Sequence, residues 1–343
     1  MSCIIILNTF FVGLRDFGVG GDTLVYIDNY FIEAKHSTFK EMIMGDGKYD
    51  VGFLLLAKLA SQISDSSQVL LILTEFVIIG FILIGAFEFK KKMPRMDFAW
   101  FIVIFSAAYY FHSENLMRQF CAMAISFFAF SQFKQKRYLA YAFFQVIGYS
   151  FHSSAILFLL VPIYDFISKI KDGKKYGLTI IAFVVFIVAF ASYYYVITML
   201  GNMGLINEIY AERYGEDSVY EANTGIGFRY ILEYLVPLFM IYYTKKKKVL
   251  SASNFYMLFV LFFSMLFFEQ FRFISKFLFR MGFCFGLIYY AYMAMAINSR
   301  KLNAYIKILF ISFMYVNSYY SVIWATSQKL NWGYEYTSRI LGL

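Results

Sequence analysis

Clusters of lysine and arginine interrupt this chain, and nearly everything between them is apolar. Each cluster follows a pair of apolar segments, and the clusters are Lys90–Lys92, Lys134–Arg137, Lys169–Lys175, Lys245–Lys248 and Arg300–Lys301. The alternate loops contain isolated arginine, histidine, aspartate and glutamate instead. This asymmetry is typical of a multi-spanning membrane protein whose basic loops remain in the cytoplasm. It directs the search for chemistry to the opposite side.

The composition excludes a soluble chain and a nucleic-acid-binding chain. Hydrophobic residues make up 61% of the 343 residues and charged residues 15%, far from the balance of soluble domains. The net charge of +9 does not indicate nucleic-acid binding, because orientation signals and anionic lipids account for lysines at the ends of apolar segments. We therefore expect residues 1–343 to form a single polytopic membrane domain that contacts membrane lipids and no nucleic acid.

The apolar runs predict an all-α membrane helix bundle with about eleven transmembrane helices, since a span needs about 20 apolar residues. A short first segment covers residues 2–13, so either this helix is short or the true start lies upstream; a polar loop is predicted over 14–48. Residues 50–64 are apolar on one side only and predict a re-entrant or interfacial helix. If they cross, the count becomes twelve. The full spans are predicted at 67–89, 97–112, 116–133, 138–150, 152–168, 177–199, 226–243, 252–269, 275–297 and 303–323.

The segments 138–150 and 152–168 are unusually short for two spans between basic boundaries. At 1.5 Å per residue they cannot both cross about 30 Å of hydrocarbon without thinning the bilayer. The polar turn near Gly148–Ser153 is therefore predicted to lie below the outer membrane surface. A polar turn at that depth needs protein or water around it, which indicates a cavity.

The outer side holds a specific set of ionisable and polar groups. The candidates for a site are Arg15, Asp22, Glu114, Arg118, Gln119, His152, Arg213, Tyr214, Arg272 and Arg280. Arg118 and Gln119 open a span, where a guanidinium is costly unless it pairs or binds an anion. Simpler interpretations remain open, because arginines can extend to headgroups, Asp22 can cap a helix that starts at Thr23, and His152 can be a core histidine.

No metal or cofactor is predicted. Cys3, Cys121 and Cys284 lie in apolar segments without ligand spacing and are expected to be packing residues. The glycines at 18, 20 and 21 lack the strand, helix and lysine of a nucleotide-binding loop. The outer side has no HExxH, CxxC or DxD motif.

Several of these residues fall into short motifs. The sequence GLRDFGVGGD at 13–22, followed by Tyr26, resembles the opening of the EpsG-like polysaccharide polymerases, relatives of the Wzy O-antigen polymerases. Residues 49–53 look like that family's aromatic-Glu-Pro-Gly-Tyr box, with Asp50 in place of glutamate. Further resemblances, in chain order, are Asn115 with Arg118, Gln119 and Ala122, the box Phe151–Ala155, the pair Arg213–Tyr214, and Arg280.

The resemblance implies an enzyme, a metal-independent membrane glycosyltransferase in the bacterial inner membrane with its active site facing the periplasm. Such polymerases transfer a growing chain from undecaprenyl pyrophosphate to the next lipid-linked oligosaccharide repeat unit. A chain-length regulator and a flippase are candidate partners. The arginines, with Gln119 and Tyr214, would contact pyrophosphate and sugar. His152, Asp22 and Glu114 are the candidates for a catalytic base.

Two other classes use similar residues. A lipid-linked oligosaccharide flippase would share outward arginines, but should show repeat symmetry that this chain lacks. A membrane acyltransferase would need its histidine on the cytoplasmic side, where the acyl donor is reached. The sugars, the linkage and the type of surface polysaccharide are not encoded in any motif here.

Overall fold

The computed structural model describes the chain in seven stretches. These are residues 2–20, 22–44, 50–170, 174–202, 228–270, 279–327 and 337–342. Helices account for the regular structure in these stretches, and no strand occurs among them. The all-α prediction is therefore confirmed for the described residues.

The first half of the chain forms these helices: α1 Ser2–Gly13, α2 Thr23–Tyr26, a π-helix Ile27–Ile32, α3 Glu33–His36, α4 Phe39–Met44, α5 Val51–Ile63, α6 Gln68–Lys92, α7 Phe98–Ala108, α8 Tyr110–Asn115 and α9 Met117–Lys134. The second half forms α10 Tyr138–Phe151, a 3-10 helix Ser153–Leu159, α11 Leu160–Ile167, α12 Lys175–Asn202, α13 Phe228–Lys246, α14 Ala252–Glu269, α15 Phe283–Ile297 and α16 Ala304–Ser327. The starts of α7 and α14 are capped by side chains that accept main-chain N–H groups, at Asp97 and Ser251.

The predicted polar loop 14–48 is wrong over much of its length, because residues 23–36 and 39–44 are helical. Tyr26, Tyr30 and Ala34 recur every four residues, and all three are buried. This spacing builds an amphipathic helical face that the polar composition hides. The π-helix lies in the middle of this run.

The predicted span 152–168 is not a continuous α-helix. Its first part, Ser153–Leu159, is a 3-10 helix, and His152 caps it by accepting the N–H of Ser154 at 3.1 Å. A 3-10 helix rises about 2.0 Å per residue and has tighter turns than an α-helix. The cap therefore fixes both the turn and the tight helix that leaves it.

α9 lies at the centre of the bundle, between α6 and α10. Small residues allow these neighbours to approach closely. A Cβ at Gly148 of α10 would lie 2.8 Å from the Ser126 hydroxyl of α9, and one at Gly85 of α6 would lie 2.9 Å from the Phe127 ring. Small residues at helix crossings are how membrane helices gain packing contacts.

The basic clusters converge at one end of the bundle. Lys134 at the end of α9 and Lys169 after α11 both pair with the buried Asp165, at 2.6 and 2.8 Å. Gln135 donates to the carboxylate of Glu88, beside the first lysine cluster, at 2.6 Å. Three clusters that are distant in sequence are thereby joined.

Further contacts bring the remaining two clusters to the same end. The Ser168 and Ser253 hydroxyls are 2.6 Å apart and join the end of α11 to the start of α14. The Lys301 ammonium donates to the Lys248 carbonyl at 3.1 Å. The structure thus places together the loops that the charge pattern assigns to one side.

Two of the described helices are long and apolar enough to cross a bilayer, Gln68–Lys92 and Ala252–Glu269. The predicted total of about eleven spans therefore stays a prediction. α5 has 13 residues, about 20 Å of helix at 1.5 Å per residue, which is the length expected of a segment that does not cross.

Candidate active site

A small pocket lies at the end of the bundle opposite the basic clusters, where α9 begins and α10 ends. Its cavity has a volume of about 60 Å³, and its lining is Asp22, Tyr26, Leu116, Arg118, Gln119, His152, Arg280 and Met281. Five of the residues singled out from the sequence meet here. They come from four segments far apart in the chain, which the bundle brings to one point.

Asp22 forms one wall of the pocket and does not cap α2, because its side chain makes no capping hydrogen bond. Its main-chain N–H donates to Oδ1 of Asn115 at 3.0 Å, which fixes the residue against the α8–α9 junction. A carboxylate oxygen lies 4.0 Å from Nη1 of Arg280. Partial burial raises the pKa of Asp22 above its usual value, while Arg280 and then Arg118 oppose the shift.

Arg118 is held by an acidic and aromatic cage. Its Nη1 donates to the carboxylate of Asp50 and to the hydroxyl of Tyr30, the latter at 2.5 Å. The guanidinium carbon lies 5.5 Å from the ring centre of Tyr26 and 5.1 Å from that of Tyr30, both within cation–π range. The Nε–H is buried and has no hydrogen-bond partner among the described residues. Asp50, Tyr30 and Tyr26 thus hold the Nη1 end and the faces of the guanidinium, and none of them engages Nε–H.

Gln119 connects the two pocket arginines, because it follows Arg118 in the chain and its amide nitrogen donates to Arg280. Its Nε2 donates to the main-chain oxygen of Arg280 at 2.8 Å and approaches Sγ of Cys284 at 3.8 Å. The Cys284 thiol in turn donates to the carbonyl of Ser154 at 3.5 Å. Cys284 is fully packed, as the sequence predicts.

His152 lines the pocket and uses one ring nitrogen, Nδ1, to hold its own turn. Nδ1 accepts the N–H of Ser154 and lies 2.8 Å from that residue's hydroxyl. With Nδ1 as acceptor, the neutral ring carries its proton on Nε2. A Cβ at Gly52 would clash with Ser150 and Phe151, so glycine lets the start of α5, with Asp50, approach this turn.

Two predicted site residues lie outside the pocket lining. Arg15 is 1% exposed and donates to the carbonyls of Val12 and Glu114, at 2.9 and 3.1 Å. Glu114 is 3% exposed, and its burial raises the pKa of its carboxyl to about 7 against the opposing charge of Arg15. The structure does not bring these two side chains to the pocket.

Arg213, Tyr214 and Arg272 fall outside the described residues. Over the described stretches, no group of three or more histidine, cysteine, aspartate or glutamate side chains is arranged to hold a metal ion.

Sequence reasoning missed the partners of Arg118. Asp50 stands out in the sequence only as a departure from a motif, and no sequence prediction assigns Tyr30 to Arg118. The signal for Tyr30 was available, because Tyr26 and Tyr30 are four residues apart and face the same way on a helix. Asp50 has no comparable signal, since its pairing depends on how α5 packs.

The apolar helices, the basic clusters at one end of the bundle and the polar pocket at the other define an α-helical protein of the membrane class. The family model of the EpsG family matches residues 1–337, so this chain belongs to the EpsG family. The resemblance drawn from the sequence motifs is thereby confirmed. Membership supports a polymerase-type role in membrane polysaccharide biosynthesis. Searches of curated proteins and of solved structures found no match.

Proposed function

We propose that this protein polymerises undecaprenyl-pyrophosphate-linked oligosaccharide repeat units at the periplasmic face of a bacterial inner membrane, for O-antigen or a related surface polysaccharide. The observation that carries the proposal is the pocket itself. It combines two arginines, a carboxylate and a histidine at the end of the bundle opposite the basic clusters. Family membership supports a polymerase-type reaction.

The arginines suit a pyrophosphate. Arg118 offers its Nε–H, and Arg280 lines the same cavity. A guanidinium stays charged and presents donors in a planar fork that matches phosphate oxygens. Asp50 and Asp22 compensate the two cations when no substrate is bound. An incoming pyrophosphate would take over part of that pairing.

Asp22 is the strongest of the three base candidates. It lines the cavity, 38% of its side chain is exposed, and its raised pKa makes it more basic than an ordinary aspartate. His152 would donate from Nε2 to a substrate oxygen, which favours the orienting role over the basic one. Glu114 lies away from the lining and has no path to a substrate hydroxyl in this arrangement.

The proposed step is a glycosyl transfer. The acceptor sugar hydroxyl gives its proton to Asp22 as its oxygen bonds to the anomeric carbon of the donor chain. The bond between that carbon and the pyrophosphate oxygen breaks, and the electron pair leaves with the pyrophosphate. Arg118 and Arg280 stabilise the charge that develops on the leaving group. No nucleotide is consumed, because the pyrophosphate is the leaving group.

The test separates polymerisation from transport. In a strain that makes O-antigen with this protein, Asp22→Asn should leave lipid A core with a single repeat unit on a lipopolysaccharide gel, because single units are still flipped and ligated. A bare core would indicate a flippase instead. An unchanged ladder would remove Asp22 from the mechanism. Immunoblotting of the membrane fraction establishes that the variant accumulates.

A further inference from the structure

The guanidinium of Arg15 donates hydrogen bonds to three main-chain carbonyls. Nη1 donates to Val12 at 2.9 Å, Nε to Val19 at 3.4 Å and Nη2 to Glu114 at 3.1 Å. The side chain is 1% exposed. A fork of five N–H donors can serve three carbonyls at once, whereas a lysine ammonium acts as a compact point charge.

Those three carbonyls belong to three different segments: the end of α1, the turn that precedes Asp22, and the end of α8. The same junction holds Asp22 directly, because Asn115 accepts its N–H through Oδ1. The Asn115 carbonyl also accepts the hydroxyl of Tyr26 at 3.3 Å. Arg15 therefore supports the backbone on both sides of the hydrogen bond that places Asp22.

The turn before Asp22 sits tightly on this junction. Gly20 has a φ of +86°, and a Cβ there would lie 2.7 Å from the Glu114 carbonyl oxygen. Only glycine tolerates both the backbone conformation and the close approach. The turn has little room to shift as long as Arg15 holds it.

Two buried acidic residues also lie near the charge of Arg15. Glu75 of α6 is 2% exposed, Glu114 is 3% exposed, and both lie within electrostatic reach of the guanidinium. A buried cation with carboxyl groups nearby and its donors on carbonyls has no need of a substrate anion. This distinguishes Arg15 from Arg118, which keeps a donor without a partner.

We infer that Arg15 is a positioning residue, which clamps the turn at Val19 onto the Glu114–Asn115 junction and so holds the Asp22 carboxylate in the pocket, and that it binds no substrate phosphate. The inference rests on the proposed role of Asp22 as base. It separates two arginines that the sequence presents as equivalent.

Arg15→Lys and Arg118→Lys, compared in the purified detergent-solubilised protein, test the inference. The binding of inorganic pyrophosphate and the kcat for polymer formation from lipid-linked repeat units are both measured. Arg15→Lys should lower kcat about 10- to 100-fold through misplacement of the base, with pyrophosphate affinity unchanged. Arg118→Lys should weaken pyrophosphate binding about tenfold or more, since charge-assisted hydrogen bonds are lost. Arg137→Lys, at the lysine end, is the matched control.

A double-variant comparison gives the second readout. In an Asp22→Asn background, Arg15→Lys should add little further loss, because the group it positions is already disabled. Additive losses, or a pyrophosphate affinity that falls with Arg15→Lys as it does with Arg118→Lys, would overturn the inference. An unchanged pyrophosphate affinity in Arg118→Lys would instead count against the proposed anion site. The kcat of Arg15→Lys and of the double variant would still test the inference about Arg15.

If Arg15→Lys fails to accumulate, Gln68 provides another route to the same segment. Its Nε2 donates to the carbonyls of Gly13 and Arg15, the latter at 2.9 Å. Gln68→Met removes these anchors without changing any charge. We expect a lower kcat with intact pyrophosphate binding, and a pyrophosphate affinity that falls in this variant would contradict the inference.

Discussion

The amide of Gln119 donates to the main-chain oxygen of Arg280, 2.8 Å away, and so joins the start of α9 to the segment before α15. Arg118 is the preceding residue on α9. The separation between the two pocket arginines therefore depends on a neutral side chain that need not touch the substrate.

Gln119→Met keeps the volume of the side chain and removes its donor. We expect polymer formation to fall about 10- to 100-fold because Arg280 is no longer held at a fixed distance from Arg118. The measurement is chain formation from lipid-linked repeat units at equal protein level. Gln135→Met removes a comparable amide hydrogen bond at the other end of the bundle and should stay close to wild type.

Arg118→Lys keeps the positive charge and loses the planar fork. The lysine ammonium would donate to Asp50 and Tyr30, as Nη1 of Arg118 does. The variant would then have no donor in the place of the Arg118 Nε–H. In cells, we expect the long polymer ladder to collapse while the protein level holds. A normal ladder from Arg118→Ala would exclude a role for this residue in substrate binding.

The pH dependence of polymerisation should report Asp22. A base must be deprotonated, so activity falls as the pH drops through the pKa of Asp22, which burial raises above 3.8. The acid limb of kcat/KM should therefore lie at higher pH than for an exposed aspartate. Arg280→Met removes the larger opposing charge and should move this limb further upward. A limb that does not respond would assign it to another group.

Glu114 should make stability depend on pH. Its pKa is about 7 in the folded protein against 4.5 when exposed, so the folded state binds the proton more strongly. The stabilisation is complete below 4.5 and is lost as the pH rises through 7, by up to about 3 kcal/mol. Glu114→Gln should reduce this slope in thermal unfolding measurements, and the buried Glu75 accounts for the part that remains. A slope that the substitution leaves unchanged would contradict the assignment.

The orientation in the membrane is testable by reporter fusions. Lys247 lies at the end of the bundle where the basic clusters meet. A reporter fused there should give a cytoplasmic signal. A fusion at Ser66, between α5 and α6, should give a periplasmic one. The reverse pattern would place the pocket in the cytoplasm and remove lipid-linked repeat units as its substrate.

The sequence alone predicts where most helices lie, and it also predicts five of the residues that line the pocket. Both predictions have a physical basis. Long apolar runs can only be helices in lipid, and costly polar groups near them must serve a purpose. The pairing of Asp50 with Arg118 was beyond reach, because it depends on the packing of α5 against α10. Arg15 was misleading, since an outward arginine and an arginine buried in carbonyls look identical in sequence.

The π-helix at Ile27–Ile32 has a consequence for how this gene can vary. A π-turn corresponds to an α-helix with one residue inserted, and each residue turns an α-helix by about 100°. Deleting Asn29 would let the segment close as a regular α-helix and would keep Tyr30 near its present side, because the π-turn already accommodates the extra residue. A single-codon deletion inside Ile27–Ile32 should therefore be tolerated better than one in the regular helices of the bundle, where everything that follows would turn by about 100°.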